Sequence, residues 1–97
     1  TAAYDEALSK CDILLMPTLP ITAPPIPASS ASPGEIVSRA LEMVPNTPAT
    51  DLTGHPSISI PCGEVENLPV GLMLVGRPFE EKLVYKAAHA FEQSESN

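Results

Sequence analysis

The chain has no long hydrophobic run, no basic stripe, no CxxC pair and no glycine-rich phosphate loop. Each absence excludes something. The longest apolar runs, Ile13–Met16 and Leu72–Val75, are far too short to span a bilayer. Five Lys and Arg stand against twelve Asp and Glu, for a net charge of −7. That balance argues against nucleic acid and against an anionic membrane surface as partners. No basic n-region precedes an apolar stretch, so no secretion signal is read and the expected compartment is the cytoplasm. Cys11 and Cys62 lie far apart and read as reduced, half-buried thiols rather than a disulfide or a nucleophile. His55 and His89 are also distant in sequence, and neither has a neighbouring carboxylate to orient it. No cluster has metal-ligand spacing, so neither a metal nor a cofactor is expected. The first residue is Thr rather than Met, which fits a processed or truncated piece.

What is present fits one small α/β domain of 97 residues. Tyr4, Leu8 and Cys11 recur at helical spacing over 1–10. Asp12 leads into the apolar run to Met16, and such a run predicts a strand covered on both faces, as in a parallel sheet. Residues 17–33 hold six of the twelve prolines and read as a long irregular or polyproline-like loop. Ser32, Pro33 and Glu35 form a helix-start signature, followed by an apolar face of Ile36, Val37, Ala40, Leu41 and Val44. A second short helix is predicted around Pro48, with Asn46 or Thr47 as its cap and Gly54 as its left-handed stop. Ser57–Ile60 alternates as a half-buried strand ending at Pro61-Cys62-Gly63. After a polar turn over Glu64–Leu68, Pro69–Gly76 completes an antiparallel hairpin. A last helix is predicted over Glu80–Gln93, with Phe79, Leu83, Ala87 and Phe91 as its stripe and Val84 and Ala88 widening it. Ser94–Asn97 is expected to fray.

Five segments together carry a family likeness. They are DILLMPTLP at 12–20, TGHP at 53–56, ISIPCG at 58–63, LPVGLMLVGRPF at 68–79 and AAHAFE at 87–92. In this order and spacing the chain resembles the C-terminal end of the amidase signature family. TGHP and the Pro-rich stretch make it similar to bacterial amidases associated with nitrile metabolism. The resemblance implies a mixed sheet flanked by helices, and hydrolysis of carboxamides to carboxylate and ammonia. In that family a lysine, a bridging serine held by a cis peptide and a second serine do the chemistry. None of these has a match here: Ser29, Ser30 and Ser32 lie in the Pro-rich loop, and Lys10, Lys82 and Lys86 fall on helix faces that read as solvated. No residue of the chain is therefore expected to be catalytic. The whole of 1–97 is expected to be the C-terminal part of an amidase signature domain, inactive alone.

The resemblance places the helix and turn around residue 48 over the acyl side of the substrate. Val44, Pro48, Leu52, Thr53 and His55 are therefore the candidate substrate-binding residues. For Val44, Pro48 and Leu52 the plainer reading is ordinary core. For His55 it is a structural role, donating to a backbone carbonyl. Two alternatives stay open: a stand-alone binding or assembly module, and a portion of a glutamyl-tRNA amidotransferase-type subunit. Open strand edges would also favour self-association of the chain.

Overall fold

The computed structural model describes residues 1–95, with helices and strands in the order α1 (Ala2–Ser9), β1 (Leu14–Pro17), α2 (Pro33–Leu41), α3 (Pro48–Thr53), β2 (Ser57–Val65), β3 (Leu68–Val75) and α4 (Glu81–Glu95). The strands form one antiparallel sheet in the order β1-β3-β2. The family's α/β character is thus present, with strand, Pro-rich loop, helices, hairpin and final helix in the expected sequence. The reading of Asp12–Met16 as a parallel strand covered on both faces is corrected. β1 is an edge strand antiparallel to β3, pairing Leu14 with Val75 and Met16 with Met73. Its burial alternates, and Leu15 is 63% exposed. An apolar run looks the same in a sequence whether or not its second face finds cover.

The hairpin is longer and tighter than the sequence suggests. β2 runs through Pro61 to Val65, and a register shift between Pro61 and Glu64 absorbs the breaker residues as a bulge. Gly63 sits at φ 113° within it. The turn itself is only Glu66 and Asn67, with φ of 52° and 66°. Two successive positive φ values match the right-handed strand twist, which is why two-residue hairpin loops adopt them.

One face of the sheet carries the main core. Ile60 and Leu74 are buried against Val84 and Ala88 of α4, with Ile13, Ile58, Leu72, Ala87 and Phe91 packed around them. Full burial of Ile60, Leu74 and Val84 contributes about 1.5–3 kcal/mol each. Met73 and Val75 alternate to the other face and are also buried. The α4 stripe is centred on Val84 and Ala88 rather than on the predicted row that began at Phe79. Phe79 lies ahead of the helix at φ 65° and is 92% exposed. Ser94 and Glu95, expected to fray, belong to α4, where the Ser94 hydroxyl donates to the Phe91 carbonyl at 2.7 Å. The same expectation for residues 96 and 97 lies outside the described residues.

The capping signals behave unequally. Ser32 Oγ accepts from the Glu35 amide at 3.2 Å, with Pro33 opening α2 as predicted. Gly54 closes α3 at φ 77°. Thr47 holds the cap position of α3, yet its hydroxyl donates to the Val44 carbonyl, and the Asn46 amide donates instead to the Pro17 carbonyl at 3.1 Å. Asn46 thereby ties the start of α3 to the end of β1.

Candidate functional site

The turn from α3 into β2 gathers a buried, hydrogen-bonded polar group. Gly54 lets the backbone reverse through the left-handed region, which brings Thr53 and His55 to the same side. His55 is buried, its side chain wholly so. Its Nδ1 lies 2.8 Å from Thr53 Oγ1 and its Nε2 lies 2.9 Å from Asp5 Oδ1. The Tyr4 ring stands 5.4 Å from the imidazole, centroid to centroid. An ionised carboxylate only accepts, so Nε2 carries the proton toward Asp5. In the neutral ring Nδ1 then accepts from the Thr53 hydroxyl. α1 is thus pinned to the α3–β2 turn by a hydrogen-bonded row of Asp5, His55 and Thr53.

A second anchor closes the other end of α1. The half-buried Arg77 guanidinium donates to the carbonyls of Leu8 and Cys11, to Asp12 Oδ1 at 3.1 Å and to Glu80 Oε2 at 2.9 Å. Its planar fork suits this divided set of acceptors as an ammonium would not. A third polar group lies across the sheet, where Thr18 Oγ1 meets Ser59 Oγ at 2.5 Å above Gly71. A Cβ at Gly71 would come within 2.9 Å of the serine oxygen.

The five candidate substrate-binding residues separate into two groups. Thr53 and His55 are together, joined by the hydrogen bond just described. Val44 precedes α3 and is 40% exposed, Leu52 is 90% exposed, and Pro48 is exposed between them. The plainer expectation that these three are core residues is therefore corrected: all three are exposed. Sequence reading missed Asp5 as the partner of His55 because 50 residues separate them. It also missed Arg77, whose acceptors near α1 lie 65 to 69 positions away. No local spacing encodes either contact.

Ingredients for other chemistries are dispersed. Lys10 pairs with Glu6 at 3.7 Å, and Lys82 and Lys86 are exposed on α4. The Ser9 and Ser94 hydroxyls donate to carbonyls, Ser32 caps α2, and Ser59 faces Thr18. Cys11 is exposed, rather than half-buried as expected, and donates to the Ala7 carbonyl. Cys62 is half-buried, and the two thiols are unbridged. Among the described residues no group of three His, Cys, Asp or Glu could hold a metal ion, and no helix is long and apolar enough to cross a membrane.

This architecture of strand, Pro-rich loop, hairpin and closing helix is that of a known hydrolase family, and the chain belongs to it: the Amidase family model matches residues 1–85. Its relatives include an uncharacterized protein in the nthA 5' region of Rhodococcus erythropolis, 46% identical over 95% of this chain and 46% of that protein. An enantioselective amidase of Rhodococcus rhodochrous is 41% identical over 99% of this chain and 19% of its own length. The crystal structure of a glutamyl-tRNA(Gln) amidotransferase subunit from Thermotoga maritima superposes with a TM-score of 0.65 at 37% identity, over 84% of this chain and 17% of that one. The chain thus spans under half the length of each of these relatives.

Proposed function

We propose that the chain is the C-terminal structural and substrate-pocket portion of an amidase that hydrolyses carboxamides to carboxylate and ammonia. In this reading the serine pair and lysine that attack the amide lie outside these residues, and the chain supplies framework and wall. The observation that carries it is the match itself, which runs over nearly all of this chain and under a fifth of the Rhodococcus rhodochrous enantioselective amidase. The dispersal of lysines and serines over separate surfaces supports the same view. The Asp5–His55–Thr53 row and the Arg77 fork then act as scaffolding: they fix α1 and the α3–β2 turn in relation to the sheet. Val44, Pro48 and Leu52, exposed here, are free to line the acyl side of a pocket completed by other residues.

The test is direct. The purified chain, incubated with propionamide and benzamide, is expected to release no ammonia above the buffer blank. Turnover by the chain alone would overturn the assignment of the chemistry to other residues. A second reading, a portion of an amidotransferase-type subunit, draws support from the superposition on the Thermotoga maritima protein. The two readings separate by grafting the chain into each relative in place of the matching stretch. The parent type is the one whose activity survives.

A further inference from the structure

Helix α2 is built inside out for this chain. Its polar residues Glu35 and Arg39, with Glu42 at its C-cap, line cavities of about 290 and 600 Å³ against the chain's own Pro-rich loop. At about 3.6 residues per turn, Val37 and Leu41 fall on the opposite side, with Ile36 at the flank. Ile36, Val37 and Leu41 are 48%, 56% and 61% exposed, and no residue of α2 is buried. A surface helix of a self-sufficient globule turns its apolar stripe inward. The sequence signature of α2 is therefore satisfied as a helix and unsatisfied as a packing element.

The size of the uncovered surface says how much is missing. A compact monomer of 10.2 kDa exposes about 5,300 Å². This chain exposes 6776 Å². The excess of about 1,500 Å² is more than one partner's share of a standard protein interface, about 800 Å². The shape agrees: a slab 48 × 37 × 17 Å with a radius of gyration of 15.9 Å, against about 13 Å for a compact chain of this length.

We propose that the outward face of α2, formed by Ile36, Val37 and Leu41, docks on the part of an amidase-family body that has no counterpart in these residues. The inference rests on the reading of the chain as an amidase portion, and it names the surface that makes the join. The occupant follows from two observations. The superposition leaves about five-sixths of the amidotransferase fold unmatched, which is ample to cover a helix face. A second copy of this chain is disfavoured because each carries a net charge of −7.

The experiment co-expresses this chain with Rhodococcus rhodochrous enantioselective amidase from which the matching stretch has been deleted. A soluble one-to-one complex is expected by size-exclusion chromatography with light scattering. Val37→Asp with Leu41→Asp should weaken it about a hundredfold or more, since two carboxylates would be buried in an apolar joint. Both side chains are exposed, so the variant's circular dichroism should match the parent's; Val37→Ser with Leu41→Ser is the milder check. A complex unaffected by both variants would overturn the proposal. So would the absence of any complex with the parent chain, or a homodimer of the chain that these substitutions dissolve. Amide turnover by a complex insensitive to the substitutions rejects this joint and keeps the amidase reading. A sensitive complex without turnover does the reverse.

Discussion

Replacing His55 tests whether the row it forms with Asp5 and Thr53 holds the fold together. His55→Ala removes a wholly buried ring, a hydrogen bond to a carboxylate and a hydrogen bond to a hydroxyl. Truncating a buried ring to Ala costs about 3–5 kcal/mol. The lost bond to the carboxylate is worth about 1.5–3 kcal/mol in a buried setting and the hydroxyl bond about 1 kcal/mol. The Asp5 side chain is 55% exposed, so water recovers much of its share. A net loss of about 4 kcal/mol is expected, a large share of the 5–15 kcal/mol typical of a folded domain. The assay is urea unfolding followed by circular dichroism on the single variants Asp5→Ala and His55→Ala and on the double variant. Asp5→Ala alone should cost about 1 kcal/mol, and the cycle should show about 1 kcal/mol of coupling. Should His55→Ala not fold, His55→Phe keeps a ring in the site, removes both hydrogen bonds and completes the cycle. Additive losses, within about 0.3 kcal/mol, would refute the claim that α1 is pinned through this histidine.

Two further substitutions probe single positions. Gly76→Ala would place a Cβ 2.5 Å from Val84 Cγ2 inside the core, so a loss of about 1–3 kcal/mol is expected in the same denaturation assay. Val84→Ala in that background should recover part of it. Gly54→Ala meets no atom within 4 Å, so its whole cost is conformational, about 1 kcal/mol for φ 77°. Asn at the same position should cost less, because Asn tolerates the left-handed region.

The local signals in the sequence were legible where one residue decides the geometry. Ser32 with Pro33 and Glu35 started α2, Gly54 stopped α3, and the two strands flanking a polar turn made a hairpin. Signals that depend on what lies across the fold were not. The Ile13–Met16 run gives no sign that only β3 would pair with β1. Pro61 and Gly63 read as a strand end, whereas a bulge carries the strand past them. Phe79 kept the spacing of the α4 stripe yet falls before the helix in a left-handed turn. In the candidate site, Thr53 and His55 were identifiable from their places beside Gly54. Asp5 and Arg77 were not, because their partners are distant in sequence. The apolar spacing of α2 predicted a helix correctly and gave no sign that its apolar side chains would stay exposed.

The most direct measurement of the central claim replaces the matching stretch of the Rhodococcus rhodochrous enantioselective amidase with these 97 residues. The steady-state kcat/KM for a carboxamide is then compared with that of the parent enzyme. A folded chimera is expected whose turnover stays within about tenfold of the parent, about 1.4 kcal/mol in transition-state stabilisation. Leu52→Ala in the chimera is expected to alter KM according to the size of the acyl group. A chimera that folds with the parent's thermal stability and hydrolyses nothing would contradict that claim.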